Sequence, residues 1–163
     1  MAAPATIDIS NISGVWVMNK TLSDDTADVL AAQSIGWILR NSIGLATITL
    51  TIKHTTDLET GVEQIDINQS LSGLSGTVEA RKLDWTDRPH EDYVFGKVVG
   101  KSRRVQLSEI DDEVLKKGWT EDTVAKGFIQ SYVVNEEYQW TAEQVWGFME
   151  VNGERRYARR VKL

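Results

Sequence analysis

Asn152-Gly153 constrains the fold of this chain more than any other feature, because it stands between two runs that both read as β-strand. Both residues tolerate the positive φ that a type I′ turn requires, so Gln144–Leu163 is predicted to be a hairpin. Side chains alternate along a strand. Arg155, Tyr157, Arg159, Val161 and Leu163 therefore share one face, opposite Arg156, Ala158, Arg160 and Lys162. A face that mixes Tyr and Arg with Val and Leu reads as half buried. A buried arginine needs an anionic partner, supplied by the protein or by a ligand.

Upstream, residues 1–11 read as a loose N-terminal arm, and Gly14–Met18 as a short first strand. Residues 23–44 change character. Ser23 followed by Asp24 and Asp25 is a helix-start signal, and Val29, Leu30, Ala32, Ile35, Ile38, Leu39 and Ile43 recur at helical spacing. Ser34 and Gly36 interrupt the run, which predicts two short helices. From Ala46 the period becomes two: Ile48, Leu50, Ile52 and His54 lie on one face, threonines and Lys53 on the other. Further strands are predicted over Glu63–Leu71, Thr77–Trp85, Asp92–Val99, Ser102–Ser108 and Phe128–Asn135, with turns at Ser72-Gly73, Arg88-Pro89 and Gly100. Residues 108–126 interrupt this rhythm as a loop insertion, either lid-like or one helical turn. The expected fold is mainly β, a single domain over 1–163. It is an antiparallel up-and-down barrel of about eight to ten strands, capped by a helix-turn-helix between the first two strands.

A chain of 163 residues is long enough to bury a real core. A net charge of −6 argues against a general nucleic-acid binder despite the basic last strand. No cysteine is present, which excludes disulfides and thiolate metal sites, and two distant histidines give no metal-ligand spacing. No stretch resembles a signal peptide or reaches membrane-spanning length, so a cytoplasmic protein without stable membrane insertion is expected. Phosphate loop, nucleophile elbow and dinucleotide fingerprint are all missing, and no cofactor is expected. Six tryptophans are many for this length and suit either a core or the lining of a cavity.

Gly14-x-Trp16 in the first strand, the helix pair after it, Leu39-Arg40 at the helix exit and the arginine-rich final hairpin together resemble the intracellular lipid-binding proteins. These are the fatty-acid-binding branch of the calycins. The resemblance implies a barrel around one lipophilic small molecule, with the helix pair as a portal. That family presents Arg-x-Tyr inward on its last strand to hold a carboxylate; here the order is reversed, Tyr157-x-Arg159.

Candidate ligand-binding residues are Arg159 and Tyr157, with Trp16, Arg81, Trp85 and Trp146. For Arg159 the alternative is packing across Trp16. An enzyme in the same barrel is the second functional expectation: a cofactor-independent cyclase, isomerase or dehydratase acting by positioning and a few hydrogen bonds. His90 with Asp87 and Glu91 would then be the acid–base group, since an imidazole titrates near neutrality and a carboxylate orients it. The plain alternative for 85–92 is a charged hairpin tip.

Overall fold

The period-two stretches between Gly14 and Lys82 build the first of two antiparallel sheets in the computed structural model, which describes residues 2–163, the side chain of Ser75 excepted. Strands β1 (Gly14–Val17), β2 (Ile48–Thr56), β3 (Glu63–Leu71) and β4 (Leu74–Lys82) pair in sequence order. Between β1 and β2 stand α1 (Ala27–Ala32) and α2 (Trp37–Leu45), the predicted helix pair. Thr26, not Ser23, precedes the first helical residue, because the Ser23 hydroxyl is held by the carbonyl of Asn19. The second sheet runs β5 (Arg88–Asp92), β6 (Gly96–Val105), β7 (Phe128–Asn135), β8 (Trp140–Val151) and β9 (Glu154–Lys162). Asn152 and Gly153 take φ of 52° and 74° at the last turn, as the hairpin reading requires.

The two sheets face each other in a barrel-like shell with a shared core. Ile52, Ile65 and Ile67 of the first sheet meet Ile129, Trp146 and Phe148 of the second. No ladder joins β4 to β5, which leaves a seam along that side. The chain crosses it at Trp85, whose φ of 56° turns the backbone and whose N–H donates to the Ser102 carbonyl at 2.8 Å. β4 accordingly ends at Lys82, short of the expected Trp85. Gly100, expected as a turn, lies inside β6, where it pairs with Arg88 on one side and Val133 on the other. Continuous ladders on both edges override a local Gly-Lys-Ser turn signal.

Leu30, Ile35 and Ile43 of the helix pair close one end over Ile48, Leu71 and Phe95. The arm closes the other. Ile9 and Ile12 are fully buried in the main core, and Ala3 N–H donates to Arg155 O. The arm is therefore fastened rather than loose; Met1 lies outside the described residues. Residues 107–126, with α3 (Glu121–Lys126), pack Ile110, Leu115 and Trp119 on the outward-facing Val105, Phe128 and Val145. This segment covers the outside of the second sheet and is not a lid over its inside. β7 is consequently buried on both faces, Ile129 inward and Phe128 outward. Among the described residues no helix is long and apolar enough to cross a membrane.

Candidate functional site

Register decides which side chains face inward. Ile65 pairs with Arg81 and Ile67 with Glu79, so two charged residues of β4 share the core face with two isoleucines. On β5 the period of two turns Arg88, His90 and Asp92 inward and leaves Pro89 and Glu91 exposed. These faces border a cavity of about 310 Å³ on the inner side of the seam, at the small end of the range for ligand pockets. Phe95, Val98, Val133, Trp140 and Ala142 supply an apolar wall. Glu79, Arg81, His90, Asp92, Lys101 and Gln144 are among its polar lining. Gln33 reaches in from the end of α1.

The polar groups are tied together. Arg81 donates from Nε and Nη2 to Glu79 Oε2, at 3.0 and 2.7 Å, and from Nη1 to the Ser131 hydroxyl at 2.7 Å. Three of its five N–H bonds are thus engaged, and the rest are free for a ligand. Burial alone would push the Glu79 carboxyl up. The charges of Arg81 and Arg159, the Arg81 hydrogen bond and His90 outweigh it and hold the group below its usual range. His90 Nε2 lies 3.2 Å from Asp92 Oδ2, while Asp92 Oδ1 accepts the N–H groups of Val94 and Phe95 at 2.7 Å each. Trp140 lines the apolar wall with its indole N–H buried and without an acceptor. A buried donor left in that state carries a free-energy cost that an acceptor on a ligand would remove.

The sequence-predicted residues divide. His90 and Arg81 border the cavity. Asp87 and Glu91 do not: Asp87 is largely exposed and faces Lys101 at 3.8 Å, and Glu91 points outward from β5. Asp92, a residue beyond the predicted group, is the carboxylate that meets His90. Trp85 sits outside the lining, with Lys101 and Arg103 against its ring at 4.7 and 4.3 Å. Trp16 belongs to the core: its ring packs on Tyr157 and Phe148 and its N–H donates to Ile12 O. Trp146 is fully buried beneath the cavity, with the Arg159 guanidinium 3.8 Å and the Arg81 guanidinium 5.5 Å from its ring. Arg159 thus packs on Trp146 and not across Trp16. Its Nε donates to the Tyr157 hydroxyl at 2.9 Å, and its Nη2 is buried without a partner. Burial pushes the Tyr157 hydroxyl up against the opposing pull of Arg159 and Arg81, so it stays protonated and keeps its own O–H to donate. Alternation along β8 could have found Gln144. No local signal marks Trp140 or Phe95 as cavity wall.

No protein-family model matches the chain. Pericyclase pydY of Acremonium sp is 30% identical over 169 residues, spanning 99% of this chain and 88% of that protein. The chain belongs to this pericyclase family. A second pericyclase relative, probable pericyclase scpY of Mollisia scopiformis, is 28% identical over 163 residues, 98% of this chain and 85% of its own. Among solved structures, fatty-acid-binding protein 1 of Echinococcus granulosus superposes with a TM-score of 0.53 at 12% identity, over 93% of this chain and 89% of that one. This likeness bears on fold alone: the pericyclase family chain has a fatty-acid-binding-protein-like shell, as the sequence resemblance implies.

Proposed function

We propose that this protein catalyses a pericyclic ring closure of a mostly apolar, conjugated small molecule. The observation that carries the reading is the division of the cavity into an apolar wall and a polar seam side that includes the Arg81 guanidinium. In a pericyclic step electrons reorganise within the substrate and no proton has to pass to the protein. Catalysis then consists of holding the chain in a folded, near-attack shape and polarising a conjugated carbonyl. Phe95, Val98, Val133 and Trp140 would enforce the shape; the spare N–H bonds of Arg81 would polarise the carbonyl. The two pericyclase relatives favour this enzyme reading over simple carriage. The test is incubation with conjugated trienones of graded length, scored by chromatography for an isomer of unchanged mass and shortened chromophore. Acceleration over buffer, reduced at least tenfold in Arg81→Met and Trp140→Ala, is expected. An equal rate with and without protein for every trienone would defeat the proposal.

One observation favours a second reading, carriage of a lipophilic acid. Arg159 Nη2 is a buried donor without an acceptor, which suits a carboxylate. Native mass spectrometry of gently purified protein tests it. A stoichiometric bound acid, lost in Arg159→Met, supports carriage; an empty wild-type protein removes it.

A further inference from the structure

The structure assigns a divalent-metal site to Glu79, His90 and Asp92, bridging the seam between the two sheets. One ligating atom from each of these residues lies within 4.8 Å of the others, close to the spacing around a single ion. The set, two carboxylates and an imidazole, suits zinc or manganese. Spacing along the chain conceals it, because Glu79 comes from β4 and the other two from β5, across the seam.

The remaining oxygens of the two carboxylates are held as metal ligands usually are. Asp92 has one oxygen fixed by two backbone N–H groups and the other turned to His90. Glu79 has Oε2 fixed by Arg81, with Oε1 left over. Outer-shell bonds of this kind orient ligating carboxylates. A second observation in the same cavity points to a ligand: Trp140, nine-tenths buried in the lining, has an indole N–H without an acceptor. An ion with an open face toward the cavity would bring in a substrate or solvent oxygen that such a donor can meet. Arg81 shares Glu79 with the ion, which weakens the carboxylate's hold on it. On the pericyclic reading above, that open face would act as a Lewis acid on the substrate carbonyl. The site itself does not depend on that reading.

The test uses zinc chloride alone, titrated into the whole protein by calorimetry and followed by thermal melting, so its outcome is separate from any turnover. Background is low, since the chain has no cysteine and its other histidine, His54, is buried with both ring nitrogens engaged by Ile12 N–H and Glu63. One equivalent of zinc is expected, with a melting temperature raised by several degrees because the ion staples two sheets that no ladder joins. His90→Ala and Asp92→Asn should each weaken binding at least tenfold, while Asp87→Asn leaves it unchanged. Wild-type protein that takes up no zinc, or a His90→Ala variant that binds as tightly, overturns the assignment. Should the variants misfold, cobalt(II) titrated into wild-type protein decides. Paramagnetic broadening confined to β4 and β5 around His90 supports the site, and broadening elsewhere overturns it.

Discussion

Replacing Glu63 by Gln probes what fastens the arm end of the shell. Glu63 accepts from Arg104 Nε and Nη2 at 2.7 and 2.6 Å and faces His54 Nε2 at 3.1 Å. Arg104 in turn donates to Ile9 O and Gly127 O, which ties the arm to β7. Burial raises the Glu63 carboxyl, but hydrogen bonds from Arg104 and His54 and their charges pull it from 4.5 down to about 2. The folded-state value lies below the unfolded one. The contribution is therefore complete well above pH 4.5 and is lost as pH falls toward about 2. Linkage converts that difference to about 3 kcal/mol. Solvent that still reaches the pair screens it, leaving about 2 kcal/mol. Glu63→Gln should thus be about 2 kcal/mol less stable near neutral pH, a fall in Tm of roughly 4–8 °C for a chain of this size. At about pH 3 the gap should shrink to roughly 1 kcal/mol or less. Urea unfolding followed by tryptophan fluorescence, wild type against variant at several pH values, measures it. A gap of constant size down to about pH 3 would show that the carboxylate charge is not the source.

Four further outcomes are expected. Gly147→Ala should cost about 1–3 kcal/mol by thermal melting, since its Cβ would lie 2.5 Å from Thr123 Cγ2 and 2.9 Å from the Trp119 ring under α3. Ile9→Ala, which empties a fully buried site in the main core, should cost about 2–5 kcal/mol in a urea melt. A value near zero there would mean that the arm does not contribute to the core. Tyr157→Phe removes the acceptor of Arg159 Nε and should cost about 1–3 kcal/mol. Arg159→Met, which deletes the orphaned donors themselves, should be near neutral or stabilising by melting temperature. Equal losses in those last two variants would contradict the unpaired-donor account.

Much of the architecture was legible because it is written in local periodicity. The helix pair, β3 over Glu63–Leu71 and the terminal hairpin all follow from spacing and turn chemistry within a few residues. The inward pair Tyr157 and Arg159 follows from alternation alone. What escaped depends on partners distant in sequence. Ile9 in the arm carries no sign of the pocket that β2, β3 and β7 make for it. Gly100 reads as a turn until β5 and β7 pair with it on both sides. Residues 107–126 are acidic at first, yet their Ile110, Leu115 and Trp119 find a second apolar face on β7 and β8 that a one-sided strand pattern does not announce. At the site, His90 was visible as a residue type, but its carboxylate partner was not. Glu91 adjoins His90 but faces outward and Asp87 precedes the strand, whereas Asp92 shares the face of the strand.

The arm's contacts also bear on how the chain reaches this structure. Ala3 bonds to Arg155, Arg155 reaches back to Ile7 O, and the Trp16 ring lies against Tyr157. The arm is thus secured by residues of β9, 148 positions further along the chain in the case of Ile7 and Arg155. Until β9 has emerged, Ile9 and Ile12 have no complete pocket, and the early strands must wait with an apolar face uncovered. Contacts of such long sequence separation slow the final closure and expose the nascent chain to misassociation. For this molecule, closure of the shell waits on β9.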